Sequence, residues 1–297
     1  MINFLKYQWL VFFSSVAMIL GGIGFGFYKY KTYGSVFNYS VEFTGGTQCI
    51  LKFSKPVSPA DLKETIEKAG WEGVAIRQFS DNNDELIVRV KEFSNDAKGL
   101  SEKIRTEVQN HLGQDTSVTV LQSEGVGAAV GSELRWQSVR AVLITLLLLL
   151  IYITIRSLSL GFALGAVVAL IHDALAMLLV LMIFNREISP YVIVAILAVL
   201  GYSINDTIVI FSQIRTNLHK MHGSSLHKIV NTTLNQTLRR TILTSVSTLL
   251  AVGSMFVLGG QVLRDNSLTL LVGILFGTYS SIYIASPIMM ALYKEQK

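Results

Sequence analysis

Apolar residues are concentrated in six long runs along this chain. The runs cover 9–28, 139–156, 160–184, 190–212, 241–260 and 267–293. A transmembrane α-helix needs roughly 17–25 residues of this kind, so the pattern predicts six membrane-spanning helices. The first run is long and has no A-x-A-like cleavage site, so we expect a retained anchor rather than a signal peptide.

The segment between the first two runs, 30–137, has shorter periodicities. Helix signals cover 58–70, where Ser58 is the expected N-cap, and a later stripe in which every fourth residue is apolar. Strand patterns precede, separate and follow these helices. A turn is expected at 81–84, and the second helix is expected to end at Gly113. The strands are 41–53, 74–80, 85–93 and 116–122, and the helix stripe is Leu100, Ile104, Val108 and Leu112. The order β-α-β-β-α-β predicts a ferredoxin-like α+β domain.

Composition and charge place this domain outside the membrane. Apolar residues make up 51% and charged residues 15% of the chain, whereas soluble domains carry about 25% charged residues. The connection 213–240, expected to be a loop, contains five lysines and arginines and no acid. Positive loops stay cytoplasmic, so we expect both termini inside and a periplasmic α+β domain. Lys29 and Lys31 run against this rule, whose force is weaker beside a long translocated domain.

The sequence offers no candidate for catalysis. We find no metal-ligand spacing, phosphate-binding loop or nucleophile–base pair, and we expect no enzyme activity, cofactor, metal or nucleic-acid partner. The single cysteine, Cys49, excludes an internal disulfide and suits a small buried apolar position. Gly45 and Gly46 could belong to a nucleotide loop, but a turn or bulge within the first strand is the favoured interpretation.

Carboxylates inside two of the apolar runs are candidate functional residues. Asp206 follows Asn205 in the fourth run, and a charged residue at a helix centre costs about 2.5–3.5 kcal/mol on insertion scales. Ionisable residues at such depth usually mark ion paths, although a protonated Asp206 in a structural hydrogen bond is the alternative. Asp173 lies near the middle of the third run. Its neighbour His172 is expected to point about 100° away, so that the two side chains cannot face one spot.

One face of the fifth run carries the complementary charge. Arg240, Thr244 and Ser247 are spaced i, i+4, i+7, whereas Arg239 aligns with apolar residues. We therefore expect Arg240 to point into the bundle at the depth of Asp206, and Arg239 to snorkel outward. A carboxylate that an arginine approaches and leaves can exchange protons. One charge crossing 100 mV is worth about 2.3 kcal/mol, enough to bias a two-state helix movement.

Glycine pairs spaced G-x-x-x-G occur in three of the runs. They are Gly22 and Gly26, Gly161 and Gly165, and Gly273 and Gly277. Such pairs let helices approach closely, but membrane helices are also rich in glycine in general, and the sequence leaves both explanations open.

Four stretches together resemble one family of membrane proteins. VEFTGGTQ carries the FTGGT signature (Phe43, Thr44, Gly45, Gly46, Thr47) of the SecD/SecF family, within the resistance-nodulation-division superfamily. GYSINDTIVIFSQIR closely resembles the fourth-span signature of the family's SecF branch. LRRTILTSVSTLL and the His-Asp pair of LIHDALAM also match the family pattern. Ser212-Gln213 departs from it, because the family usually has Asp-Arg there.

This resemblance implies a fold, partners and an activity. It implies an α-helical protein of six spans that pairs with SecD in a twelve-span bundle in the bacterial cytoplasmic (inner) membrane. The pair would use the proton or sodium motive force to help the SecYEG channel and SecA move preproteins outward, with YajC and YidC as further partners. Asp206 and Arg240 match the family's ion-pathway residues. Asp173 and Asn205 complete the expected ion-coupling set, supported by a polar face of Thr244, Ser247 and Ser203.

Two other functions remain open from the sequence. A scaffold that only stabilises a translocase or insertase would keep its function when Asp206 is replaced by Asn. A half-size exporter of lipids or drugs would work without SecD and would have a substrate cavity in the outer domain.

Overall fold

The computed structural model describes residues 2–79, 84–112, 116–157 and 159–293, with no description of the side chains of 261 and 262. The turn expected at 81–84 falls mostly outside these residues, as does Gly113. The helices are α1 Gln8–Tyr33, α2 Val41–Thr44, α3 Pro59–Lys68, α4 Ala97–Leu112, α5 Ala128–Ser157, α6 Leu160–Ile183, α7 Pro190–Lys220, α8 Leu226–Leu258, α9 Gly260–Ser280 and α10 Ser286–Leu292. The strands are β1 Asn38–Tyr39, β2 Gly46–Phe53, β3 Ala75–Gln78, β4 Glu85–Val90, β5 Val118–Val126 and β6 Glu187–Ile188. A 3₁₀ turn, Phe4–Tyr7, precedes α1, and a π-helical turn, Ser281–Ala285, joins α9 to α10.

The chain forms two compact units. One comprises Met1–Asn38, Arg140–Gly259 and Leu263–Lys297, and the other Tyr39–Val139 with Gly260–Val262. Among the described residues, six helical stretches are long and apolar enough to cross a membrane, which confirms the predicted number of spans.

The α+β unit has the predicted ferredoxin-like topology. Its antiparallel sheet has the order β3-β4-β2-β5, and α3 and α4 connect the strands as expected. The core consists of alternate strand residues packed on the apolar stripes of both helices, including Leu51, Leu86 and Ile104. Gly70 ends α3 at φ 94°, with the Trp71 N–H bonded to the Ile66 carbonyl, in a Schellman arrangement.

Two details of this unit differ from the expectation. Residues Val41–Thr44 form a helical turn instead of the start of a strand, which begins only at Gly46. Ser58 is the N-cap of α3, but its side chain makes no cap hydrogen bond.

Cys49 is only 1% exposed, and this burial raises the pKa of its thiol to about 12. The prediction of a buried apolar role for Cys49 is therefore confirmed.

The membrane unit is packed around α6, α7 and the α9–α10 stretch, which are much more buried than α1, α5 and α8. Glycines allow the close contacts among the central helices. A Cβ on Gly165 would lie 2.7 Å from the Ala285 carbonyl oxygen, and one on Gly273 would lie 2.5 Å from Val199. Of the two explanations for the glycine pairs, these distances support close packing.

Helix α7 and helix α8 extend well beyond the apolar runs that predicted them. The segment 213–240, expected to be a loop, is helical except for 221–225. Gly223 turns the chain at φ 83°, and the Ser225 hydroxyl accepts a 3.4 Å hydrogen bond from the Lys228 N–H to cap α8. Hydropathy located only the apolar part of each helix, because the polar turns beyond it carry no hydrophobic signal.

Candidate ion-coupling site

Asp173 lies at the centre of the membrane unit and is completely buried. Its Oδ2 accepts two hydrogen bonds, from Ser203 Oγ on α7 at 2.6 Å and from Ser280 Oγ on α9 at 2.9 Å. Gly277 makes this arrangement possible, since a Cβ there would lie 2.8 Å from Ser203 Cβ. The carboxyl group thus ties three helices together at one point.

His172 is part of the same cluster, contrary to the expectation that it would face elsewhere. Its Nδ1 lies 3.2 Å from Asp173 Oδ1. The prediction of separate directions was wrong because the imidazole is long enough to fold back onto the neighbouring carboxylate. Phe276 and Tyr279 pack against the ring, each 6.0 Å away between centroids. Within the described part of the chain, the buried Nε2 has no hydrogen-bond partner.

A local irregularity in the last span positions Ser280. The π-helical turn Ser281–Ala285 begins immediately after it, and Pro287 follows the turn. Proline has no N–H and its ring clashes with the carbonyl four residues back, which accounts for the widened turn. The Ser286 hydroxyl donates a 3.0 Å hydrogen bond to the Ser281 carbonyl across it. The sequence interpretation did not include Ser280, although the Ser-Pro pair of the last run was a usable signal of a helix distortion.

Asp206 lies three residues after Ser203 on the same face of α7 and is 5% exposed. Among the described residues its side chain makes no hydrogen bond or close ion pair. No hydrogen bond or ion pair joins Asp206 to Arg240 in the described part of the chain, and their proximity stays a prediction.

Two of the expected site residues, Arg240 on α8 and Asn205 on α7, are exposed on this chain. Arg239 is exposed too, as expected. The buried face of α8 instead contains Thr233, Thr237, Thr241 and Ser245. The expectation that Arg240 points into the bundle formed by this chain alone was therefore wrong. The spacing of polar residues selects a face of α8, but spacing alone does not say which residues pack against that face.

The expected supporting residues Thr244 and Ser247 donate hydrogen bonds to carbonyl groups of their own helix. Thr244 Oγ1 donates to the Arg240 carbonyl at 3.1 Å, and Ser247 Oγ to the Leu243 carbonyl at 2.7 Å. Such bonds satisfy a hydroxyl within a single helix. Thr244 and Ser247 are thus available to a neighbour without requiring one.

The departure at Ser212-Gln213 is accommodated by an amide network between α7 and α8. Gln213 Nε2 donates to Gln236 Oε1 at 3.1 Å, and Asn217 Nδ2 donates to the same oxygen and to Thr233 Oγ1, both at 2.8 Å. Uncharged side chains therefore hold together the helix ends where the family usually has a charged pair.

The FTGGT residues form a tight connection from α2 into β2. Gly45 and Gly46 have φ values of 77° and 116°, and a Cβ on Gly45 would lie 2.6 Å from Ala128 Cα at the start of α5. Phe43 and Thr47 are buried on either side, and the Thr44 hydroxyl donates to the Ser40 carbonyl. The motif is thus a packing element of the α+β unit. The glycines do not lie within the first strand as favoured, because Phe43 and Thr44 end the helical turn α2 and the strand begins only at Gly46.

Comparisons with known proteins identify the family. A family profile described as protein export membrane protein SecD/SecF, C-terminal, matches residues 105–295. The protein translocase subunit SecF of Gemmatimonas aurantiaca is 37% identical over 292 residues, which are 96% of this chain and 86% of that protein. The chain belongs to the SecD/SecF family, in its SecF branch. The SecF of Pseudomonas aeruginosa is 36% identical over 98% of this chain and 91% of its own length.

A solved family member shares the fold. The crystal structure of SecDF from Thermus thermophilus, a translocon-associated membrane protein, matches with a TM-score of 0.85 and 34% identity. The match covers 98% of this chain but only 38% of the SecDF chain. A SecDF structure in a super-membrane-facing form matches over the same share of both chains, with a TM-score of 0.67.

Proposed function

We propose that this SecF-branch protein works with SecD as an ion-driven motor for the late steps of preprotein export through SecYEG and SecA. The observation that carries the proposal is Asp206, a buried carboxyl group in a membrane helix that has no hydrogen-bond or ion-pair partner among the described residues. Intramembrane carboxylates are costly and typically belong to ion paths. Asp173 differs from Asp206 because hydroxyl donors already satisfy it, which suits a fixed structural or relay position.

SecD is the proposed partner because this chain leaves polar membrane residues uncovered. Asn205 and Arg240 are exposed within or beside membrane helices of the isolated chain. An arginine facing lipid is costly, whereas one facing a partner helix can be paired. The SecDF relative, of which this chain spans 38%, contains further protein that can supply such helices. We place the pair in the bacterial cytoplasmic membrane with both SecF termini inside, because the basic hairpin 213–240 then lies on the cytoplasmic side.

The test is precursor release from the outer face of membranes that contain this protein and SecD. Wild type and Asp206→Asn are compared at equal abundance, with and without an ion gradient, and separate proton and sodium gradients identify the ion. We expect the gradient to speed release in wild type only. An equal response of both would leave Asp206 with a packing role and the protein as a scaffold.

The two neighbouring arginines provide a matched pair for the same assay. Arg239→Gln and Arg240→Gln remove one positive charge each from adjacent exposed positions. Only the charge of Arg240 is expected to matter, since Arg240 and not Arg239 matches the family's ion-pathway arginine. Equal losses in the two variants would indicate a general effect of positive charge in this part of α8 on membrane insertion.

A further inference from the structure

A groove between α1 and α6 has a lining without polar side chains. Its volume is about 370 Å³, and Gly22 and Gly26 form its floor on α1 opposite Leu175 and Leu179 on α6. Ile23, which also lines it, is 64% exposed, so the groove borders the surface of the membrane unit. A groove of this composition at the depth of membrane-spanning helices suits a hydrocarbon chain.

A second, polar cavity continues the groove at the end of α1 that leads into the α+β domain. Its volume is about 490 Å³, and it shares Phe37 and Met182 with the groove. Lys29 lines it, with Nζ 3.1 Å from Asn185 Oδ1 and 3.4 Å from the Met182 carbonyl oxygen. Asn185 holds this position in a left-handed conformation, φ 51°, that asparagine tolerates better than most residues.

Lys29 is hydrogen-bonded to neutral groups. Both of its hydrogen-bond partners are neutral oxygens, and no carboxylate pairs with it in the part of the chain that the structure describes. In the expected topology this end of α1 is on the outer side, where lysines are depleted. Tyr28 and Tyr33 also line the cavity, and tyrosines favour the headgroup level. A headgroup phosphate would supply the missing negative charge.

We propose that the two cavities together bind one anionic glycerophospholipid, with an acyl chain in the groove and the phosphate beside Lys29. Both volumes lie within the roughly 300–1,000 Å³ of small-ligand pockets. A helix of another protein, about 10–12 Å wide with its side chains, is a poorer match to a groove of this size. This inference requires that the chain spans a membrane with this end of α1 on the outer side, and it stands apart from the ion-coupling proposal.

The headgroup is tested with matched lysine variants. The full chain is reconstituted in vesicles of equal phosphatidylglycerol and phosphatidylcholine, extracted into mild detergent, and its retained lipids are counted by native mass spectrometry. Wild type should retain one phosphatidylglycerol in preference to phosphatidylcholine. Lys29→Gln should reduce this preference about five-fold, the equivalent of about 1 kcal/mol for one lysine near anionic headgroups. Lys31→Gln, an exposed lysine outside both cavities, should leave it unchanged.

The acyl groove is tested with matched glycine variants. Gly26→Leu fills the groove, whereas Gly24→Leu, on the same helix, adds its side chain where a Cβ has no neighbour within 4 Å. We expect Gly26→Leu to retain neither phosphatidylglycerol nor phosphatidylcholine and Gly24→Leu to retain lipid as wild type does. Thermal melting confirms that the two variants fold. Retention of the lipid by Gly26→Leu would overturn the proposal. An unchanged preference for phosphatidylglycerol in Lys29→Gln would also overturn it, because the bound lipid would then be non-specific. A helical peptide bound in place of lipid would overturn it as well.

Discussion

Replacing Gly277 by alanine tests whether the close approach of α9 to α7 sets up the buried Asp173 cluster. A Cβ at Gly277 would lie 2.8 Å from Ser203 Cβ and 2.9 Å from Ser203 Oγ. These atoms are next to the α7 backbone and cannot swing away as the end of a long side chain can. The clash is therefore relieved by separating the helices or by rotating the Ser203 hydroxyl, and either movement weakens its 2.6 Å hydrogen bond to Asp173.

The expected magnitude follows from two opposing terms. Overpacking a well-packed core typically costs about 1–3 kcal/mol. Alanine in place of glycine in a helix interior contributes about 0.5–1 kcal/mol of stability. Gly253 in α8 isolates the second term, since a Cβ there has nothing within 4 Å. Because the helix-propensity gain is common to both variants, Gly277→Ala should be less stable than Gly253→Ala by about 1–3 kcal/mol.

Unfolding in mixed detergent and SDS measures this difference, followed by circular dichroism or tryptophan fluorescence. Gly253→Ala is expected to unfold at or slightly above the SDS fraction of wild type, and Gly277→Ala below that of Gly253→Ala. Equal midpoints for the two variants would refute the reasoning. That result would mean that α9 can move away from Ser203 without loss, and that the short Gly277 distance does not hold the Asp173 cluster together.

Three further predictions concern other parts of the chain. Ser280→Ala removes a hydroxyl donor from buried Asp173 and should cost about 1–3 kcal/mol in the same SDS assay, whereas Ser254→Ala, at an exposed site in α8, should be neutral. Gly45→Ala should destabilise the α+β unit to urea by about 1–3 kcal/mol more than Gly70→Ala, since both have positive φ but only Gly45 meets a neighbour. The Cys49 thiol, with its pKa raised to about 12, should resist iodoacetamide at pH 8–9 until the chain is unfolded, and rapid labelling of the folded protein would contradict its burial.

Much of the fold was predictable because it depends on periodicity. Six apolar runs specified six membrane helices, and alternating patterns specified the β-α-β-β-α-β order of the outer domain. Helix ends were less predictable. The segment 213–240 continues α7 and α8 as polar helix, and Val41–Thr44 forms a helical turn despite its strand-like composition. In both places local hydrogen bonding decides the outcome, and hydrophobic patterning contains no information about it.

The residues of the carboxylate site were partly predictable from the sequence, but their contacts were not. Asp173, Ser203 and Asp206 could be selected, because polar residues are costly inside membrane helices. Ser280 could not be paired with Asp173 from spacing, because the π-helical turn and the Gly277 contact that position it arise from the packing of α9 on α7. The folding of His172 onto Asp173 likewise depends on a side-chain rotamer.

The exposure of Arg240 and Asn205 shows that residue spacing can select a helical face but cannot identify the neighbours of that face. Polar spacing selected one side of α8, and the neighbours of that side were assumed to belong to the same chain. In the structure α8 is buried against its own chain through Thr233, Thr237 and Thr241, whereas Arg240 is exposed. Since polar groups inside a membrane require partners, the uncovered face of α8 and Asn205 on α7 together indicate where a second protein should dock. This is the surface on which the proposed SecD pairing would complete the surroundings of Asp206.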